Sequence, residues 1–198
     1  MKALILYIVA FLSGFSLMGY EILGSRILAP YFGSSVYVWG GLIAVFMFGL
    51  SIGYSLGGNL ADRHSSFNEL GYLIICSIIF IFPVSFYGKS VCSSISELPF
   101  DIKYSALTAS VLLFTVPCIC LGAISPYLVR LSVQNYCEIG RKAGNIYAAS
   151  TVGSIFGSLF VSFYLISLVG TDNGIRLLCL PLLAGCILLF SCRLLKGV

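Results

Sequence analysis

Few residues of this 198-residue chain could do chemistry, and the carboxylate of Glu21 is the most unusual of them. Glu21 lies in the apolar stretch GYEILGSR, five residues before Arg26. A charged side chain at the centre of a membrane costs roughly 2.5–3.5 kcal/mol on insertion scales, and less near the edge. Two interpretations stay open: an ion pair, most simply with Arg26, or a binding site for a cationic substrate or a proton.

Other polar residues extend this set only slightly. Asn145 is as good a helix cap as a ligand, and with Glu21 and Arg26 it completes the candidate substrate- or ion-binding residues. His64 is the only histidine, and it has no partner nearby that would make it a base or a ligand. Metal-ligand spacing, phosphate-binding glycine loops and nucleophile–base constellations are all missing from the sequence. We therefore expect no catalytic residues, no metal and no cofactor, and an enzyme active site within this chain is not predicted.

The composition indicates which type of secondary structure holds these residues in place. The chain is 59% hydrophobic and 9% charged, with a mean hydropathy of +1.05, too apolar for a water-covered domain. Apolar runs of about 18–25 residues match helices that cross about 30 Å of hydrocarbon. The sequence predicts an all-α integral membrane protein, with six transmembrane helices in a single domain over residues 1–198. The predicted spans are 3–23, 36–60, 70–87, 106–129, 146–169 and 175–192.

Basic residues predict the orientation of these spans. Seven of the eleven Lys and Arg residues fall on the side that holds both termini, and four fall on the other side. This bias predicts that both termini lie in the cytoplasm. The membrane concerned is expected to be the inner (cell) membrane. The net charge of +4 indicates contact with anionic membrane lipids, and no basic cluster suggests nucleic acid.

The loops between the spans carry two further expectations. Segment 24–40 contains Pro30 and Gly33, so we expect it to lie at the outer interface and not to span. Cys92 is predicted in the outer loop, and Cys137 on the cytoplasmic side. The other cysteines fall inside predicted helices, where they behave as small apolar residues.

Two of the predicted helices carry small residues at four-residue spacing, which places them on one face. Tight helix packing is the main interpretation, and a sliding or path-lining surface is the alternative. The glycines concerned are Gly49, Gly53, Gly57, Gly153 and Gly157. Pro117 and Pro126 in the fourth span are a plain kink or a hinge. Each half has three helices with a small-residue-rich one in the middle, which suggests two inverted repeats, or half of a major-facilitator-like bundle.

The motif GGNLADR at residues 57–63 resembles the signature of the major facilitator superfamily between its second and third helices. The resemblance implies a conformational latch formed by Gly58, Asp62 and Arg63. In such a latch Asp62 would cap a facing helix N-terminus, where a carboxylate is stabilised. Arg63 would pair with Glu69, Glu138 or a lipid phosphate.

A second resemblance covers nearly the whole chain. The stretches SGFSLMGYEILGSRILAPYFG, GAISPYLVRL and GRKAGNIYAASTVGSIFGSL look like the membrane half of spermidine-synthase-like membrane proteins. Those proteins often carry a cytosolic aminopropyltransferase-type domain after the last helix, and we expect none here because the chain stops soon after its last span. The resemblance implies a transport-type module for a small polar or cationic, polyamine-related metabolite. The alternative is a non-transporting scaffold for a cytosolic aminopropyltransferase-like enzyme, and a homodimer is a further expected partner arrangement.

Overall fold

The computed structural model describes residues 2–63, 65–133 and 138–194, so His64 and Cys137 lie outside the described residues. Within these ranges the chain is helical and contains no strand. The helices are α1 (Lys2–Phe32), α2 (Val36–Arg63), α3 (Phe67–Ile81), α4 (Val84–Ser96), α5 (Ile102–Ser132), α6 (Ile139–Phe160) and α7 (Ile166–Leu194), with a π-helical turn at Val161–Leu165 between the last two. We call the end of the bundle that carries the last turn of α2 the Asp62 end, and the opposite end the Trp39 end.

Four helices are long and apolar enough to cross a membrane: α1, α2, α5 and the continuous stretch Ile139–Ser191. A fifth crossing is added if α3 and α4, which are bent by 44° at their junction, form one span. The bend falls at Pro83, which has no N–H to continue the hydrogen bonds of α3. The expected single helix over 70–87 is therefore two helices.

The first connection differs from its expected form. Helix α1 continues to Phe32 with Pro30 inside its last turn, and Gly33 ends it with a φ of 76°, a left-handed conformation that favours glycine. Residues 33–35 alone separate α1 from α2. Most of segment 24–40 is thus helical, because a proline near the end of a long helix removes only one backbone hydrogen bond.

Cys92 also differs from its expected place. It lies on α4 and is fully buried, because α4 extends through the first half of the segment expected to be an outer loop.

The two prolines of α5 lie inside one continuous helix. Pro117 leaves the carbonyl of Leu113 without its usual helical donor, and the hydroxyl of Tyr20 donates to that oxygen at 3.4 Å. The Tyr20 ring packs in the core against Phe46 and Phe114, with ring centroids 5.8 and 5.5 Å away. This aromatic cluster joins α1, α2 and α5 around the carbonyl that Pro117 frees.

Glycines let α2 and α5 approach until their backbones meet. A Cβ on Gly53 or Gly57 would lie under 3.0 Å from backbone atoms of Ile119 or Ala123, a separation that real Cβ atoms essentially never show. Gly49 faces α5 in the same way, 2.7 Å from a side-chain carbon. The residue numbers rise together along both helices, so α2 and α5 run parallel.

The same kind of crossing joins α1 to α6. A Cβ on Gly153 or Gly157 would collide with the backbone of Phe11 or Phe15, so these two helices also run parallel. Ser154 donates to the carbonyl of Gly14 at 3.2 Å across the interface. All five glycines expected at helix crossings therefore face a neighbouring helix.

Helix α7 contains a reversal at Gly170, where φ is 76° and the backbone is not helical. Along α1 from Leu12 to Leu23, the neighbouring residues of α7 run backwards from Gly185 to Gly174. The part of α7 after Gly170 is thus antiparallel to α1, whereas α6 is parallel to it. The 53 residues of Ile139–Ser191 would extend about 80 Å if straight, at 1.5 Å per residue, and the reversal folds them back.

Candidate functional site

The polar contact that joins the ends of two long helices is the ion pair of Asp62 with Arg130. The Nε atom of Arg130 lies 3.2 Å from Oδ1 of Asp62, and both side chains are exposed. Because α2 and α5 run parallel, their C-terminal ends lie side by side, and both charges project from the last turns. An exposed pair contributes about 0–1 kcal/mol, too little to decide folding but enough to bias one conformation over another.

A cleft of about 470 Å³ opens beside this ion pair. Gly58, Asp62 and Arg130 line it together with Pro126 of α5 and Ile139 at the start of α6. A Cβ on Gly58 would meet nothing within 4 Å, so this glycine borders open space and not a helix crossing. Two residues of the expected latch and one hinge proline are therefore gathered around one cleft at the Asp62 end.

The partner of Asp62 differs from the expected one. The N-terminus of α3, the helix that follows α2 in the chain, is capped by Ser66, whose Oγ accepts a hydrogen bond from the backbone N–H of Glu69 at 3.2 Å. The hydroxyl of Tyr127 accepts from the Ser66 amide at 3.1 Å and holds the same turn. Asp62 instead pairs with Arg130, a side chain at the C-terminus of α5, and caps no helix N-terminus among the described hydrogen bonds.

Arg63 has no ion pair with Glu69 or Glu138 in the described part of the chain. Glu138 accepts from Arg141 at 2.6 Å, three residues along the chain. Arg63 is exposed at the end of α2. The contact with lipid phosphate remains the prediction for this residue.

Glu21 lies half-buried on α1, next to the core residue Tyr20. Among the described residues its carboxylate has no hydrogen bond and no ion pair, and Arg26 does not reach it. Five residues on an α-helix differ by about 140° in direction, so the two side chains leave α1 on different faces. Glu21 lies instead within electrostatic range of Cys118 on α5, which packs against Gly49 of α2. The half-buried carboxylate is thus on the side of α1 near α5, and it has no counter-ion among the described residues.

The third expected member of this set lies elsewhere. Asn145 is in the second turn of α6, which begins at Ile139, so it does not cap that helix. Its amide nitrogen lies 3.5 Å from the hydroxyl of Tyr7 on α1. Tyr7 and Glu21 are about 21 Å apart along α1 at 1.5 Å per residue, and Arg26 lines a different cavity at the Trp39 end. The structure does not bring Glu21, Arg26 and Asn145 into one site.

Sequence reasoning missed three residues that the structure places at these contacts. Arg130 was counted only as a charge for orientation, although its position in the last turn of a long helix was a usable signal. Tyr20 and Tyr127 are both fully buried, and each hydroxyl contacts backbone atoms of another segment. Nothing in a single apolar sequence distinguishes such tyrosines from those that face lipid.

Cysteines and acids form no metal-binding group in the described ranges, where no cluster of three His, Cys, Asp or Glu side chains occurs. The sulfurs of Cys76 on α3 and Cys120 on α5 lie 3.7 Å apart as free thiols. Two sulfur ligands without a third do not make a structural metal site.

The fold and these contacts define a helical protein whose several apolar helices are compatible with a multi-pass membrane protein. Its candidate site features are an exposed ion pair beside a cleft and, on α1, a half-buried carboxylate that has no counter-ion among the described residues. Comparison of the chain with protein-family models, with curated proteins and with solved structures gave no match.

Proposed function

We propose that the chain is a transport-type membrane module for a small polar or cationic, polyamine-related metabolite, in line with its resemblance to spermidine-synthase-like membrane proteins. The observation that carries this proposal is the Glu21 carboxylate, which has no counter-ion in the described part of the chain. An apolar bundle that keeps such a group accepts a cost of up to about 3.5 kcal/mol. A cationic substrate or a proton would neutralise the carboxylate and recover that cost.

The proposal includes six membrane crossings, with both termini in the cytoplasm and the Asp62 end facing the cytoplasm of the inner membrane. The reversal at Gly170 divides the stretch Ile139–Ser191 into two antiparallel parts. Helices α3 and α4 together supply one bent crossing. With α1, α2 and α5, these make six.

Two inverted repeats of three crossings are supported by the way the helices pair. Helix α2 packs on α5 through Gly53 and Gly57, and α6 packs on α1 through Gly153 and Gly157. If the second half repeats the first, α1 corresponds to α5 and α2 corresponds to α6. The contact of α2 with α5 is then equivalent to the contact of α6 with α1. Repeats of this kind place their sites where the halves meet, and Glu21 lies near α5 across that boundary.

The ion pair of Asp62 with Arg130 is the proposed latch of the cytoplasmic end. It ties the ends of α2 and α5, which belong to different halves, beside a cleft that contains Gly58. A rocking motion of the halves would break the pair and open the cleft toward Glu21. At about 0–1 kcal/mol the pair can change the ratio of two conformations by up to about fivefold.

Uptake into proteoliposomes tests the proposal directly. Wild-type protein should accumulate labelled spermidine with saturable kinetics, and Glu21→Gln should lower the initial rate at least about tenfold. Glu97→Gln is the matched control, because Glu97 ends α4 at an exposed position. Equal rates in empty and protein-containing vesicles would contradict transport of this cation, and equal rates in wild type and Glu21→Gln would remove Glu21 from the path.

Labelling of introduced cysteines tests the six-crossing topology separately. Ser65 and Ser96 are exposed at opposite ends of the α3–α4 pair. In intact cells Ser96→Cys should react with an impermeant maleimide, whereas Ser65→Cys should react only after the membrane is opened. The opposite pattern would reverse the orientation, and reaction of both from outside would exclude α3–α4 as one crossing.

The scaffold alternative is favoured by the scarcity of charge inside the bundle and by the open cleft at the Asp62 end, which carries the exposed charges of Asp62 and Arg130. In that case the cleft would receive a cytosolic aminopropyltransferase-like enzyme. Absence of spermidine flux together with co-purification of such an enzyme, lost in Asp62→Arg, would favour the scaffold over the transporter.

A further inference from the structure

The Trp39 end contains a second cavity, of about 230 Å³, that the proposed function does not use. It lies in the bend between the end of α1 and the start of α2, and we call it the elbow pocket. Its lining includes Arg26, Gly33, Ser34 and Trp39, with Val38 and Leu42 as apolar floor. One water occupies about 30 Å³, so the pocket has room for a tetrahedral anion and part of its substituents.

The electrostatics of the elbow pocket favour an anion. Arg26 is the one charged residue of the lining, and it has no carboxylate partner among the described residues. The positive end of the α2 dipole adds to this field, because Val38 and Trp39 near the start of that helix line the pocket. The amides of Val38 and Trp39, the first α2 residues of the lining, already donate to Ser35, so the Arg26 guanidinium is the direct donor to an anion in the pocket.

The surroundings indicate which anion. Trp39 is 41% exposed at the mouth of the pocket, and Tyr37 beside it is also exposed. Tryptophan and tyrosine are typical of the level of lipid headgroups in a membrane protein. An arginine binds phosphate through two parallel N–H···O bonds, which suits a phosphodiester at that level.

We propose that the elbow pocket binds the phosphate group of an anionic phospholipid headgroup, held by the Arg26 guanidinium. Gly33 supports this role, because a Cβ there would meet nothing within 4 Å and the backbone turn stays open to the ligand. A free phosphate ion shares this chemistry, so the experiment must separate the two sources.

Trp39 is the only tryptophan of the chain, so its fluorescence reports on the elbow pocket alone. The protein is reconstituted in brominated phosphatidylcholine, which quenches Trp39, and unbrominated phosphatidylglycerol is then added stepwise. Phosphatidylglycerol that binds in the pocket displaces the quenching lipid from Trp39. Wild-type fluorescence should therefore recover at a phosphatidylglycerol fraction about tenfold lower than dilution of the brominated lipid alone requires. In Arg26→Gln it should recover only in proportion to dilution. Lys103→Gln, which removes another positive charge at this end, should behave as wild type.

Two further arms complete the test. Ser34→Asp places a carboxylate in the same pocket and should abolish the preference while leaving Arg26 in place, so the result does not depend on one variant. Inorganic phosphate at millimolar concentration should leave the recovery curve unchanged if the ligand is a lipid. Suppression of the lipid effect by phosphate would assign the pocket to the free ion, and identical proportional curves for wild type and Arg26→Gln would overturn the proposal.

Discussion

Adjacent glycines on α2 give a direct test of the backbone contact between α2 and α5. Gly57 faces Ala123, and a Cβ built on Gly57 would lie 2.5 Å from the Cα of Ala123, whereas real Cβ contacts stay beyond 3.0 Å. Gly58 is the next residue of the same helix, and a Cβ there would meet nothing within 4 Å. Gly57→Ala and Gly58→Ala therefore add the same methyl group to one helix, on a packed face and on an open face.

The expected magnitudes follow from that geometry. Both substitutions improve helix propensity, by up to about 1 kcal/mol each. In Gly57→Ala the helices must separate by about half an ångström or more, and forced overpacking of this kind typically costs about 1–3 kcal/mol. Part of that cost is lost contact along the whole crossing, because backbones cannot yield as side chains do. The propensity gain cancels in the comparison, so we expect Gly58→Ala to be neutral or slightly stabilising and Gly57→Ala to be less stable than Gly58→Ala by about 1–3 kcal/mol.

Unfolding of both variants in mixed micelles, followed by circular dichroism against the mole fraction of a denaturing detergent, measures this difference. The same pair of proteins examined by cysteine cross-linking between α2 and α5 reports whether the helices have moved apart. Equal stability of the two variants, or a less stable Gly58→Ala, would show that Gly57 does not face α5 in the folded protein.

Three other predictions concern contacts between helices. Asp62→Asn should change the free energy of unfolding by no more than about 1 kcal/mol but lengthen the spin-label distances between the ends of α2 and α5. The double variant with the charges exchanged, Asp62→Arg with Arg130→Asp, should restore those distances, and unchanged distances in Asp62→Asn would exclude a latch. Tyr20→Phe should cost about 1–3 kcal/mol in the same detergent titration, since it leaves a carbonyl of α5 unsatisfied, and a neutral result would mean that the carbonyl is otherwise bonded. Oxygen with copper phenanthroline should oxidise Cys76 and Cys120 to a disulfide, with each thiol giving up one hydrogen to the oxidant, because their sulfurs lie 3.7 Å apart and a disulfide bond is about 2.05 Å long. If mass spectrometry finds both thiols free, the packing of α3 on α5 is contradicted.

The amino-acid sequence by itself determined the class of the elements. A chain that is 59% hydrophobic and 9% charged can satisfy its backbone in lipid only through helices or a closed barrel, and its long apolar runs choose helices. The four-residue spacing of glycines likewise indicated which helix faces would be smooth, since that spacing is a local property of an α-helix. The ends of the helices were harder to predict from the sequence. Pro30 is tolerated in the last turn of α1, whereas Pro83 divides an apolar stretch that looks like one continuous helix into α3 and α4.

Tertiary structure alone decided which groups meet. Glu21 and Arg26 are close in sequence but leave α1 in different directions, whereas Asp62 and Arg130 are far apart in sequence and pair. That pair forms because glycines bring two parallel helices to the same level, a register that no local pattern encodes. Proximity across a bundle depends on the direction and register of helices distant in sequence, while helix formation depends on the composition and spacing of neighbours along the chain.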